Sequence, residues 1–488
     1  MSLHAGAATR EISPTKPMQL CGYPHVRRIS TGIHDPLLAS ALFLRNESSA
    51  ILLCALDLIM LNSDVARRIR RAIASALGVA ESGVLINCTH THSAPVTLDY
   101  LPFKGDVAMP PPDLSYLDFV ERTVVQAAME AKTKAQPAEL AWTRGDARGV
   151  GGNRHSPEGP TDPEVGALVV RSAGKLLAVA LIYGMHPTVL HEDSTLVSAD
   201  FPHYARVQLR ETLGRELVVL YHTGPAGNQS PRYHVTGQTF SEAERLGRKL
   251  GNAALAGMEN LKFSDNVALA GWRQSVDLKQ SELPSVTAAE ELLAAYRTDY
   301  ERLKTNGAQR PQLRTAEVAV FGAEAKLKLA RAQQTGELDR LLARLRPFEV
   351  QVLRIGEACL VALPGEFFAE YGLELKQRAP MKSFVITYAN GELQGYLVTP
   401  EAAVAGGYEA ASSLFGPEAG AAMVNAALAA ISELAGEHPG EIPPRQGLRL
   451  DPQNRSRRRE EAESPGSQCH PPPHVGGYQQ QGHGKVSS

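Results

Sequence analysis

Cysteine is scarce. The 488 residues hold five, Cys21, Cys54, Cys88, Cys359 and Cys469, and no two form a Cys-x-x-Cys pair. That excludes a disulfide framework and a cysteine-built zinc module. Cys54, Cys88 and Cys359 lie inside apolar runs and read as small buried hydrophobes. A surplus of either charge is also missing. Fifty Lys and Arg against 52 Asp and Glu leave a formal net charge of −2, which argues against a polyanion binder. No apolar run approaches the ~20 residues of a membrane helix. The start of the chain lacks the basic and apolar segments of a secretory signal. These absences together give the expectation of a soluble, cytoplasmic protein. No internal repeat is visible.

What is present is globular material in two regimes. With 43% hydrophobic and 21% charged residues, the chain is neither disordered throughout nor fibrous. Residues 1–440 mix apolar runs, Ala-rich stretches and Gly/Pro turns and read as one catalytic domain. Residues 441–488 are polar, with a run of arginines, Pro471-Pro472-Pro473 and Gln479-Gln480-Gln481. That tail is expected to be disordered, with His470, His474 and His483 as weak metal ligands at most.

In the body, Ala41–Leu44 and Ala50–Leu56 flank a polar turn and predict a hairpin. Ala167–Val170 and Leu177–Ile182 predict another around Gly174, and Phe348–Ile355 pairs with Cys359–Leu363 across Gly356-Glu357. Gly83–Cys88 and Leu217–Tyr221 read as further strands. Ser63-Asp64 caps a helix stopped by Gly78. Thr287–Leu303 and Ala323–Leu345 predict an inserted helical hairpin, and Pro417 opens a last helix. The fold class is therefore mixed α/β, or α+β: several mixed sheets, flanking helices, a helical insertion and the tail.

Polar clusters follow several of the apolar runs, where a rigid scaffold presents functional loops. Thr89-His90-Thr91-His92-Ser93 follows one strand, and its two imidazoles share a side if the backbone is extended. His186-Pro187 follows a second. Gly224-Pro225-Ala226-Gly227-Asn228-Gln229-Ser230-Pro231-Arg232 follows a third, and its N–H groups are candidates for binding an anion or oxyanion. Pro364-Gly365-Glu366-Phe367 places a carboxylate either at a helix start or at a metal. Tyr396 and Tyr408 sit beside Gly-rich turns, and Arg154 lies in a loop with Gly149, Gly151 and Gly152. Each cluster alone also fits an ordinary turn or core role.

In this order, the clusters resemble the neutral/alkaline (non-lysosomal) ceramidase family, over about Gly32 to Gly416. The matching pieces are Thr89–Ser93, Asn153-Arg154, His186-Pro187-Thr188, Gly227–Pro231, Pro364–Phe367, Gly395-Tyr396 and Tyr408–Ser412. The resemblance implies a Zn²⁺-dependent amidohydrolase of an N-acyl amide, lipid or otherwise, with His90, His186, Glu366 and Tyr396 as metal ligands. It implies that His92, Arg154 and Tyr408 line the amide site, and it sets Ser230 on the family's active-site serine. Two His and a carboxylate form a known catalytic zinc set. The chain departs from the family's Gly-Asp-x-Ser-Pro-Asn: it reads Gly227-Asn228-Gln229-Ser230-Pro231-Arg232, losing a carboxylate and gaining a cation. Two other readings compete. One is a metal-independent serine hydrolase using Ser230 with His92 or His222. The other is a non-catalytic ligand-binding descendant.

Overall fold

The computed structural model describes residues 2–436. The polar tail and Cys469 lie outside the described residues, as do the tail histidines. Strand alternation builds the body. Ile51, Leu53 and Ala55 of the strand Ala50–Leu56 point into a core shared by three sheets, while Leu52, Cys54 and Leu56 point into a helix-covered core. Ala178, Ala180 and Ile182 of Lys175–Tyr183 enter the same shared core, and Val179, Leu181 and Tyr183 face other helices. Ala358, Leu360 and Ala362 repeat the pattern in a third sheet, with Cys359 and Val361 turned into another buried core. A period of two, apolar on both faces, makes each strand an inner layer.

The first sheet orders the strands Val84–Cys88, Ala50–Leu56, Leu38–Arg45, His4–Glu11 and Gln136–Pro137. The second orders Val218–Thr223, Lys175–Tyr183, Glu164–Ser172 and Glu139–Asp146. The third orders Leu269–Ser275, Glu349–Ile355, Ala358–Ala362 and Lys382–Ile386. Parallel and antiparallel pairs occur in each. The helices Ser63–Leu77 and Leu114–Thr133 cover the first sheet, and Phe201–Leu213 and Phe240–Ala256 cover the second. Ala369–Arg378 and Ala419–Ala435 pack with the third. The expected mixed α/β body is observed. Among the described residues no helix is long and apolar enough to cross a membrane.

The expected hairpins and last helix form, with small corrections. Helix Ser63–Leu77 ends at left-handed Gly78, but its cap residue is Asn62; the Ser63 hydroxyl instead bonds the Glu392 carbonyl, 3.0 Å away. The helical insertion is larger than its periodicity indicated. It comprises Val286–Thr305, Arg310–Gln334 and Glu337–Leu345. The second helix begins well before Ala323 because Pro311 sits in its first turn, where its missing N–H is no loss. It breaks at Gly336, whose φ of +68° favours glycine.

Candidate metal and amide site

Strand ends from all three sheets converge on one buried cluster. His90 follows the strand Val84–Cys88. It adopts φ +66°, so the His90–His92 segment is not the extended backbone expected from the sequence. The imidazoles nevertheless meet, with Nε2 of His92 3.4 Å from Nε2 of His90. His186 follows the strand Lys175–Tyr183. Glu366 lies in the short strand Glu366–Phe367, three residues before the helix Ala369–Arg378, so it is not a helix-start residue. That strand pairs in parallel with Tyr396–Leu397 and sets Glu366 beside Tyr396.

Backbone carbonyls fix the ring orientations. His90 Nδ1 lies 2.9 Å from the Ile59 carbonyl. His186 Nδ1 lies 2.6 Å from the Ala226 carbonyl and 3.1 Å from that of Gln229. A carbonyl cannot donate, so each Nδ1 carries a proton, and in the neutral form of either ring Nε2 presents a lone pair. Those Nε2 atoms face Glu366 Oε2, at 3.5 Å from His90 and 3.2 Å from His186. Burial pushes the His186 pKa down to about 4, so this ring is neutral near pH 7. Burial alone would raise the Glu366 pKa, but His90 and His186 hold it below the usual carboxylate range. Acceptors therefore converge in a space from which water is largely excluded, an arrangement that a divalent cation satisfies. His90, His92 and His186 offer ring nitrogens that all lie within 4.8 Å of one another. His92, expected beside the metal, is thus within ligating reach itself.

The Gly224–Arg232 loop does not form the N–H nest expected of it. The Gly224 N–H bonds the Tyr183 carbonyl, that of Gly227 bonds Phe367, and that of Gln229 bonds Ala226. The loop's carbonyls orient His186 instead. A Cβ at Gly227 would stand 2.8 Å from the Glu366 oxygen and 2.9 Å from that of Phe367, so only glycine allows this approach.

Arg154, Tyr396 and Tyr408 are brought together. The Arg154 guanidinium lies 5.3 Å from the centre of the Tyr396 ring, and the Tyr396 and Tyr408 rings are 5.8 Å apart. Glu409, which the sequence reading did not assign, binds Arg154 through Nε at 2.7 Å and also through Nη2. His155 Nε2 lies 3.0 Å from the same Glu409 oxygen. Burial raises the Glu409 pKa, but Arg154 and His155 outweigh it and hold the carboxyl low. Its signal was its place directly after Tyr408, where a helical turn aims successive residues differently.

His92 is held from behind. The Arg28 guanidinium donates to its carbonyl at 2.6 Å, and the Tyr23 ring lies 5.3 Å from its own. Its Nδ1 is buried without a hydrogen-bond partner. Burial, reinforced by His90 and His186, drives its pKa well down. Ser230 Oγ accepts from the Arg232 N–H at 3.3 Å. Among the described residues no hydrogen bond joins Ser230 to His92 or His222. His222 Nδ1 instead lies 3.3 Å from the Asn87 side-chain oxygen. The dyad that a serine hydrolase needs is not assembled.

The fold has relatives. Residues 5–234 match the family model for the N-terminal region of neutral/alkaline non-lysosomal ceramidase. That match spans a little under half of the chain, and two curated relatives are similar over a longer stretch. It is 23% identical over 456 residues to the neutral ceramidase of Pseudomonas aeruginosa, covering 82% of this chain and 67% of the relative. It is 23% identical over 468 residues to that of Mycobacterium tuberculosis, covering 81% and 71%. The crystal structure of the Pseudomonas aeruginosa enzyme superposes with a TM-score of 0.67 at 18% identity, over 92% of this chain and 77% of the other. A structure described as ceramidase complexed with C2 superposes with a TM-score of 0.65 at 17% identity, over 92% and 78%.

Proposed function

We propose that this chain is a zinc-dependent hydrolase cleaving the C–N bond of an N-acyl amide, ceramide-like or smaller. The observation that carries the reading is the carbonyl-fixed tautomer of His90 and His186, which turns both Nε2 lone pairs toward Glu366. His90, His186 and Glu366 would hold the metal, with Tyr396 beside Glu366 as the further ligand. Bound zinc would supply a water of pKa near 7 and polarise the amide carbonyl.

The chain's own groups do the rest. Arg154 stays charged, anchored on Glu409, and presents a cation to the carbonyl oxygen as it gains charge. Burial raises the Tyr408 pKa, with Glu366 adding to it, so Tyr408 keeps its proton and acts as a neutral donor. His92 is neutral near pH 7. It can accept the proton of the attacking water and deliver it to the leaving amine. The C–N bond breaks, a C–O bond forms, and carboxylate and amine leave.

Metal analysis of purified protein tests this, together with hydrolysis of a panel of N-acyl amides. About one zinc per wild-type chain is expected, lost in His186→Ala, with turnover abolished by chelation and restored by zinc. Turnover that survives complete metal removal would refute the reading.

A further inference from the structure

Two arginines meet on one side of the site. The strand Gln229–Ser230 pairs antiparallel with Gly152–Asn153, and each segment runs on into an arginine. The Arg154 N–H bonds the Asn228 carbonyl at 2.8 Å, and Arg232 Nη1 bonds the Arg154 carbonyl at 2.8 Å. The two arginines leave the ribbon at opposite ends, and the Arg232 side chain reaches back to the Arg154 carbonyl. Gln229, three residues before Arg232, supplies one of the carbonyls that orient His186.

Glu409 is the carboxylate that grips Arg154. A single oxygen of Glu409 already accepts from Arg154 Nε and Nη2 and meets His155. Glu158 is engaged by the Ser156 hydroxyl at 2.8 Å. Among the described residues Arg232 forms no ion pair. It is half-buried, and its charge is disfavoured first by desolvation and then by Arg154. A partly desolvated cation beside a second cation is costly unless an anion joins them. Arginine is the side chain suited to a bidentate grip on a carboxylate. It also stands where the resembled family pattern has a neutral asparagine, and it contacts the carbonyl of Arg154, whose guanidinium lies 5.3 Å from the centre of the Tyr396 ring.

We propose that Arg232, backed by Arg154, binds a carboxylate on the amine half of the substrate, so that the preferred substrates are N-acyl amino acids. This rests on the amide-hydrolase reading above and specifies its substrate class. The reaction is RCO–NH–R′–COO⁻ plus water giving RCOO⁻ and ⁺H₃N–R′–COO⁻. The C–N bond breaks, and water supplies the new acyl oxygen and both protons taken up by nitrogen.

The test compares two amides of equal acyl length, N-dodecanoylglycine and N-dodecanoylethanolamine, which differ in carboxylate against hydroxyl. Zinc-loaded wild type and the Arg232→Asn and Arg232→Lys variants are used, with zinc content and circular dichroism as folding controls. We expect wild type to favour the glycine conjugate at least tenfold in kcat/KM. Arg232→Asn should remove that preference, mainly through KM, and Arg232→Lys should retain part of it. Turnover of both amides without preference in wild type, or a preference unchanged in Arg232→Asn, would overturn the carboxylate assignment and leave the hydrolase standing. Turnover of neither amide by zinc-loaded protein, nor of any in the wider panel, would overturn the hydrolase reading and this inference with it.

Discussion

Asn228 stands where the family pattern carries aspartate, and the structure gives a physical reason to expect an asparagine. Its Nδ2 donates to Glu370 Oε2 at 2.7 Å, while its Oδ1 accepts from the Ala369 N–H and from Gln229 Nε2, both at 2.9 Å. Asn228→Asp keeps the accepting oxygen but turns the donor into a second carboxylate oxygen facing Glu370. Two carboxylates about 4 Å apart repel by about 4 kcal/mol at an effective dielectric of ~20. The alternative is to take up a proton. At pH 7.5, protonating a carboxyl of pKa about 4.3 costs about 4 kcal/mol, so both routes reach the same ceiling. Relaxation lowers this, and a loss of about 2–4 kcal/mol is expected. The sign with pH follows. Glu370 is already raised, chiefly by burial, and the variant raises it further above its unfolded value. The folded state then binds the extra proton, so stability is regained below the folded pKa and lost as pH rises through it. At pH 5 the penalty relative to wild type should shrink to about 1 kcal/mol. Urea unfolding at both pH values, with chelator present throughout, measures this. Glu370→Gln added to Asn228→Asp should restore much of the loss, because the introduced amide would donate to the new carboxylate. An Asn228→Asp variant as stable as wild type at pH 7.5, or a penalty that grows on acidification, would refute the argument.

Gly227→Ala should cost about 1–3 kcal/mol as an overpacked contact and reduce zinc affinity about 10–100-fold by pushing Glu366 away from the His186 loop; Gly237→Ala, whose Cβ meets only a Thr239 methyl at 3.7 Å, is the control. Thermal melts and competitive zinc titration read both effects. Glu409→Gln should lower kcat/KM by about 10²–10³, the scale of a disturbed oxyanion donor, with zinc content unchanged. His222 is held neutral, its pKa pushed down by burial to about 3. The unfolded chain therefore binds its proton first, and wild type loses stability as pH falls from about 6.5 toward 3, at up to about 1.4 kcal/mol per pH unit for each such group. His222→Gln should flatten that slope in chelator-treated protein, whatever it does to stability at pH 7.5.

Much of the body was legible because its signals are local. The strands around Gly174 and Gly356 alternate or run continuously apolar, and the glycines stop them; the turns at Gly174 and Gly356 do have positive φ. The metal-side residues were legible as His and Glu following apolar strands, but their use was not. Whether an imidazole is a ligand depends on what its other nitrogen meets. The partners of His90 and His186 are carbonyls 31 and 40 residues distant in sequence, and no residue-type pattern encodes a carbonyl. The same holds for Glu409, whose partner Arg154 is 255 residues away. The Gly224–Arg232 loop offers candidate anion-binding N–H groups in the sequence, with an ordinary turn as the alternative. Those of Gly224, Gly227 and Gln229 are spent within the fold, and the freedom of Gly227 serves a close passage of two backbones.

That exchange explains why the departures at 228 and 232 carry information beyond divergence. Position 228 faces inward, where Glu370 supplies a carboxylate and an asparagine satisfies every neighbour. Position 232 sends a guanidinium to the Arg154 carbonyl, a neutral acceptor. The first change balances a charge already present in the fold. The second adds a charge that forms no ion pair among the described residues. Folding alone would favour the neutral residue there, because a half-buried guanidinium beside Arg154 costs stability. A residue that costs stability beside a reactive cluster is best explained by a ligand that offsets the cost on binding.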